Sequence, residues 1–320
     1  MKKISRRSFC CAALAGAAAL ALSACRDTGA ASSGAAAGSA AGSSSAPAGE
    51  PLLTAEEYPR VDGSTACIPL MAAMLHETTG MDLEQAQTGI TVSTTGYAWE
   101  NISLYYSEGD SPEVLIVYEA PAYIQQEIAD SGVELEVSPI GLDALVFMVN
   151  EQNPVQSLTR QQLLDIYTGR ITNWKDVGGE DAPIVAFQRS EDSGSQTLFK
   201  KLVMGDTEPM TPPTELAPAE MGTLVDQLAS YNNAGNAIGF SVYYYIDQMY
   251  SQPGLRLLAV DGVEPSNETI GSRQYPFCNE FFAVIRADSP AGSPARTLYD
   301  WIRSDDGRAC IEGAGYVPAF

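Results

Sequence analysis

Apolar runs and helically spaced segments alternate along residues 51–320, and this alternation predicts an α/β protein with mostly parallel sheets. The clearest strand is 144–150 (ALVFMVN), because a strand covered on both faces is apolar throughout. Thr159 is placed to cap a helix that ends before Gly169. The apolar runs lie at 114–118, 144–150, 184–187, 237–241, 255–260 and 281–286, and the predicted helices at 120–130, 159–167, 196–204, 221–232, 295–303 and 307–313.

The first 25 residues predict an export signal rather than part of the fold. Four basic residues precede an apolar stretch, 9–24, that is short for a membrane span of about 20 residues. The segment 5–9 (SRRSF) resembles a twin-arginine signal, although arginine pairs are also common in other signals. The segment 22–25 (LSAC) resembles a lipobox, with Cys25 as the lipidated residue; the alternative is ordinary cleavage with Cys25 incidental.

Residues 26–50 predict a flexible tether, since twenty of these 25 residues are Ala, Ser or Gly. The net charge of the chain is −22, and removal of residues 1–25 leaves −26. This acidity argues against nucleic-acid binding, which needs clustered Lys and Arg. His76 is the single histidine, which excludes multi-histidine metal sites and most Ser–His or Cys–His arrangements.

Three cysteines remain after the tether: Cys67, Cys278 and Cys310. An odd number at wide spacing is no disulfide framework, and a Cys278–Cys310 bridge is left open.

Two polar loops run directly into predicted helices. The first is 62–70 (DGSTACIPL), in which Pro69 suits a first helical turn, and the second is 189–196 (RSEDSGSQ). A helix start offers unpaired N–H groups and the positive end of the helix dipole, so two such loops could form a cradle for an oxyanion. The alternative is that each loop merely caps its helix.

Longer segments around these loops resemble the phosphate-binding proteins of bacterial ABC importers. The resemblance runs in order through YPRVDGSTACIPL (58–70), the segment 153–199, GNAIGFSVYYY (235–245), the segment 268–288 and GAGYVPAF (313–320). It implies a periplasmic-binding-protein-like (type II) fold, in which two α/β lobes close over one anion in the cleft between them. The lobes would comprise 51–143 with 280–320, and 144–279.

The resemblance also implies the ligand contacts. Arg189 would hold the anion with its fork of donors, helped by the hydroxyls of Ser193 and Ser195. Cys67 departs from the family pattern, which usually has a hydroxyl there; a thiol is a weaker donor, and a catalytic thiolate is the alternative. The implied phosphate site comprises Ser64, Thr65, Ala66, Cys67, Thr94, Thr95, Glu119, Arg189, Ser193, Gly194 and Ser195.

Glu119 stands in EAP (119–121), where the family usually has Asp followed by Ala-Pro. A carboxylate beside an anion is repulsive unless the anion carries a proton. Phosphate brings such a proton and sulfate does not, so Glu119 would select phosphate. The alternative is that Glu119 caps the following helix.

The resulting hypothesis is a lipid-anchored, extracytoplasmic, monomeric binding protein, not an enzyme. It would capture inorganic phosphate for an ABC permease and its ATPase subunits, with no cofactor and no metal. The alternatives are a phosphate-ester hydrolase, a sensor or adhesin on the same fold, and a binder of another oxyanion. The chain has no G-x-S-x-G motif, which argues against the hydrolase.

Overall fold

The structure is a computed structural model that describes residues 50–213, 216–218, 220–230 and 234–320. The predicted export signal, the lipidation site Cys25 and the tether up to residue 49 lie outside the described residues. Across the residues it describes, no helix is both long and apolar enough to cross a membrane.

Strands and helices are interleaved through the described residues. The strands are β1 (Val61–Gly63), β2 (Val114–Val117), β3 (Leu135–Asn150), β4 (Ser157–Leu158), β5 (Val185–Ala186), β6 (Ala237–Val242), β7 (Leu255–Leu257), β8 (Ala259–Val260), β9 (Cys278–Arg286) and β10 (Val317–Pro318). The helices are α1 (Ile68–Thr79), α2 (Leu83–Gly89), α3 (Thr95–Ile102), α4 (Ala122–Ser131), α5 (Arg160–Tyr167), α6 (Gly194–Phe199), α7 (Met221–Ser230), α8 (Asn267–Gly271), α9 (Pro294–Ile302) and α10 (Asp305–Gly313). The alternation is incomplete, because α1–α3 follow one another directly, as do β7 and β8.

One long strand, β3, organises the main sheet, whose strand order is β1-β2-β9-β3-β6-β5. Residues 135–144 of β3 pair with β9, and residues 145–150 pair with β6 and β7. We call β1, β2, β9 and 135–144 the first half-sheet, and β5, β6, β7 and 145–150 the second half-sheet. The chain therefore passes between the halves within a continuous strand.

The prediction of mostly parallel sheets is wrong. The pairs β1–β2, β4–β8 and β5–β6 are parallel, but every described pair that involves β3 or β9 is antiparallel. The apolar run 144–150 was recognisable, but the preceding half of β3 contains Pro139 and Gly141, which weaken a strand pattern. A register irregularity between these two residues accommodates them.

Apolar contacts fix the helices that carry the predicted site. In the first half, Trp99 and Ile102 of α3 and Ile124 of α4 pack with Leu115 and Val117 of β2. In the second half, Phe199 at the end of α6 stacks on Phe240 of β6, with ring centroids 4.4 Å apart. Both packing arrangements hold a site-bearing helix against its own half-sheet.

A buried carboxylate lies where the two half-sheets join. Asp143 of β3 accepts a 2.5 Å hydrogen bond from the Tyr118 hydroxyl and further bonds from the N–H groups of Ala144 and Tyr244, at 2.7 and 3.2 Å. These bonds favour the charged form, but complete burial outweighs them and raises the pKa of Asp143 to about 6.

The bridge left open between Cys278 and Cys310 is not formed, since both are free thiols, as is Cys67.

Candidate functional site: a hydroxyl-lined cavity

The first wall of the site begins where β1 ends. Ser64 is buried, and its Oγ accepts a 3.0 Å hydrogen bond from the N–H of Tyr118. A short 3-10 helix, Thr65–Cys67, follows and leads into α1, whose first turn contains Pro69 as predicted. The local sequence thus turns a strand end into a helix start lined by Ser and Thr.

The start of α3 completes this wall. The Oγ1 of Thr95 lies 2.7 Å from the Oγ of Ser64, which fixes both hydroxyls. Thr94 precedes the helix with φ 78° and ψ 169°, a combination that only glycine adopts readily. This strained backbone sits at the wall of the cavity.

The second wall carries a buried guanidinium. Arg189 is 7% exposed; its Nε donates to the carbonyl of Pro218 at 3.1 Å, and its Nη1 lies 3.5 Å from the Oγ of Ser195. Burial lowers the pKa of Arg189 to about 10, opposed by the nearby Tyr245 and Glu220. The side chain therefore stays cationic at neutral pH.

Two serines at the start of α6 stand beside this guanidinium. The Oγ atoms of Ser193 and Ser195 are 3.0 Å apart, and both residues are buried. Gly194, between them, lies against the first wall: a Cβ added there would be 2.6 Å from the Oγ1 of Thr95. Glycine is required because the two walls approach so closely.

These loops enclose a cavity of about 290 Å³. Its lining includes all but two of the residues predicted for the site: Ser64, Thr65, Ala66, Thr94, Thr95, Arg189, Ser193, Gly194 and Ser195. Hydroxyl donors and one guanidinium in a largely buried space are suited to a small oxyanion.

Cys67 is not brought to the cavity. It is fully buried behind it, and burial together with the charge of Asp143 raises the pKa of the Cys67 thiol well above its usual value. The thiol stays protonated, so neither the predicted ligand contact nor the alternative of a catalytic thiolate has geometric support.

Glu119 also lies outside the cavity lining. Its Oε2 is 2.5 Å from the Nζ of Lys201, and its Oε1 accepts a 3.3 Å bond from Gln125. The alternative of a helix cap does not hold either, because α4 begins at Ala122 with Pro121 at the capping position. Glu119 lines a separate recess together with Trp99.

Sequence reasoning missed several residues that line the cavity: Tyr97, Tyr118, Ser190, Asp192, Glu220, Met221 and Val242. Ser190 and Asp192 lie inside the loop that the sequence singled out, so the loop itself was the available signal. Glu220 and Met221 come from the start of α7, about thirty residues later, and no local pattern marks them.

The sequence and the fold were compared with those of known proteins. The PBP superfamily domain matches residues 54–306, which is well over half of the chain. The chain belongs to the PBP superfamily. A curated relative, the phosphate-binding protein PstS of Bacillus subtilis, is 26% identical over 191 residues, or 59% of this chain and 59% of that protein. The alignment thus spans about three fifths of the relative's length.

Solved structures of transport proteins share the fold. A putative phosphate ABC transporter substrate-binding protein with bound phosphate, from Clostridium perfringens, has a TM-score of 0.62 at 24% identity and covers 82% of this chain and 100% of its own. An ABC-type phosphate transport receptor from Vibrio cholerae has a TM-score of 0.58 at 21% identity, with 81% and 99% covered. The resemblance to phosphate-binding proteins is confirmed, and so is the two-lobed α/β fold with a cleft between the lobes.

Proposed function

We propose that this chain is a binding protein that captures inorganic phosphate outside the cytoplasm and delivers it to an ABC permease. The observation that carries the proposal is the shared cavity: a buried Arg189 and the hydroxyls of two separate loops face the same small space. Phosphate as the ligand is supported by the Bacillus subtilis relative, a phosphate-binding protein, and by the Clostridium perfringens structure, which has phosphate bound.

Each wall of the cavity has a distinct role in this proposal. Arg189 supplies the positive charge, and Ser193 and Ser195 supply hydroxyl donors beside it. Ser64 and Thr95 supply donors from the opposite wall, and the two walls close over the anion. We propose that one lobe comprises 51–143 with 280–320 and the other comprises 144–279. This division is supported by β3, which pairs with β9 up to residue 144 and with β6 from residue 145.

Selectivity for phosphate is expected from the acidic residues of the cavity. Asp192 and Glu220 line it, whereas Glu119 does not. A carboxylate tolerates a bound anion that carries a proton, and it repels one that has none. Phosphate should therefore bind in preference to sulfate.

The cellular part of the proposal rests on the sequence alone. Residues 1–25 would direct export, through the twin-arginine pathway if the export machinery recognises the Arg6–Arg7 pair. Cys25 would carry the lipid that holds the monomer at the membrane. Cys25→Ala should move the protein from the membrane fraction to the soluble fraction. Retention in the membrane would refute the anchor.

Calorimetry of the purified chain with phosphate, sulfate and a phosphate monoester tests the ligand. Phosphate alone should bind tightly, and Arg189→Ala should weaken it by about 2–5 kcal/mol, as expected when a buried charged partner is lost. Arg170→Ala is the matched control, because Arg170 is exposed and pairs with Asp165 away from the cavity. Equal binding of sulfate, or turnover of the ester, would refute the proposal.

A further inference from the structure

The ion pair between Glu119 and Lys201 joins the two halves of the molecule. Glu119 follows β2 of the first half-sheet, and Lys201 lies in the π-helical turn Lys200–Met204 that continues α6 on the second half. The Nζ of Lys201 is 2.5 Å from the Oε2 of Glu119, although the two residues are 82 positions apart. The contact therefore exists only while the halves lie together.

The pair lies away from the anion cavity. Glu119 and Lys201 both line two further recesses, of about 460 and 570 Å³. Neither residue lines the cavity that holds Arg189 and Ser195. The pair thus joins the two halves without lining the space available to the anion.

Helix α6 has an attachment to the first half on each side of it. Before its start, the carbonyl of Asp192 accepts a 3.3 Å bond from the N–H of Gly96, and the carboxylate of Asp192 accepts a bond from the hydroxyl of Tyr123. Past its end, Lys201 pairs with Glu119. The serines that face the cavity lie between these two attachments.

We propose that the Glu119–Lys201 pair is a closure latch that sets how fast the bound anion leaves. This inference rests on the proposed function, since it assigns a role in phosphate retention. The anion can leave only when the halves part, and parting them breaks the pair, so its free energy adds to the closed state alone. The side chains of Lys201 and Glu119 are 57% and 27% exposed, so the effect should be modest and weaker at high salt.

Stopped-flow release of inorganic phosphate from the full chain tests the latch. Lys201→Met and Glu119→Gln should each raise the dissociation rate roughly two- to fivefold, and the double variant should match the single ones. Exchanging the charges, Glu119→Lys with Lys201→Glu, should restore a slow rate. The ratio of phosphate to sulfate affinity should not change in any variant.

Lys200→Met is the matched control. Lys200 is the neighbouring residue of the same turn and forms an equally short ion pair, 2.5 Å, but its partner Glu191 belongs to the same half. Its loss should leave the release rate unchanged. Thermal melting without phosphate should be similar for Lys201→Met and Lys200→Met, which separates a latch from a general loss of stability.

Two results would overturn the latch while leaving the proposed function intact. One is a release rate that does not change in Lys201→Met. The other is a loss of phosphate-over-sulfate preference in Glu119→Gln alone, which would make Glu119 a ligand contact. If the wild-type chain does not bind phosphate, the proposed function fails and this inference fails with it.

Discussion

Replacement of Gly194 by alanine tests how closely the two walls of the cavity must approach. The added Cβ would lie 2.6 Å from the Oγ1 of Thr95 and 3.3 Å from its Cβ. Ordinary contacts need more space, so Thr95 must move by several tenths of an ångström or the walls must separate. Thr95 has little freedom, because its Oγ1 is 2.7 Å from the Oγ of Ser64, which also accepts the N–H of Tyr118.

The magnitude follows from the cost of overpacking a tight contact, about 1–3 kcal/mol. Because this cost applies only to the closed arrangement, Gly194→Ala should weaken phosphate binding roughly five- to 150-fold. The fold itself should not suffer. Gly194 is the first residue of α6, and alanine favours a helix by up to about 1 kcal/mol over glycine.

Calorimetry with phosphate and urea unfolding without it measure the two effects separately. Thr95→Ala provides the decisive background, because it removes the Oγ1 that the new methyl group would strike. Gly194→Ala should cost much less affinity there than in the wild-type chain. An equal loss in both backgrounds, or an unchanged affinity in the single variant, would refute the close approach of the walls.

Three further predictions concern residues around the cavity. Between about pH 3 and pH 7 the wild type should lose about 3 kcal/mol of stability relative to Asp143→Asn, because the buried carboxyl has a pKa of about 6 and releases its proton at a higher pH than it does in the unfolded chain. Urea unfolding of both proteins across this pH range measures the effect. If the two plots of stability against pH run parallel, the reasoning is wrong. Cys67→Ser should lower the free energy of unfolding by about 1–3 kcal/mol, because it buries a hydroxyl in the core. It should leave phosphate affinity, measured by calorimetry, unchanged. Weaker binding would show that residue 67 contacts the ligand. Thr94→Gly should raise the free energy of unfolding by about 1 kcal/mol, because glycine relieves a backbone strain of about 1–3 kcal/mol. Urea unfolding measures this change. A lower free energy of unfolding would show that the conformation of Thr94 is not strained.

Local sequence signals predicted many of the elements and the two loops of the cavity. Thr159 caps α5 as its position indicated, and Pro69 lies in the first turn of α1. Ser64 and Arg189 were assigned to opposite walls, and the structure brings both to one cavity. These features depend on residues that are close in the chain, such as helix caps, apolar runs and Ser- or Gly-containing helix starts.

The direction of strands and the orientation of single side chains required the tertiary structure. Antiparallel β9 lies between β2 and β3, which alternation along the chain could not reveal, because it carries no information on strand order. Cys67 turns into the core, and Glu119 turns toward Lys201, 82 residues away. The sequence determined which segments could hold an anion, whereas packing between distant segments decided which side chains face the cavity, since each orientation depends on partners far away along the chain.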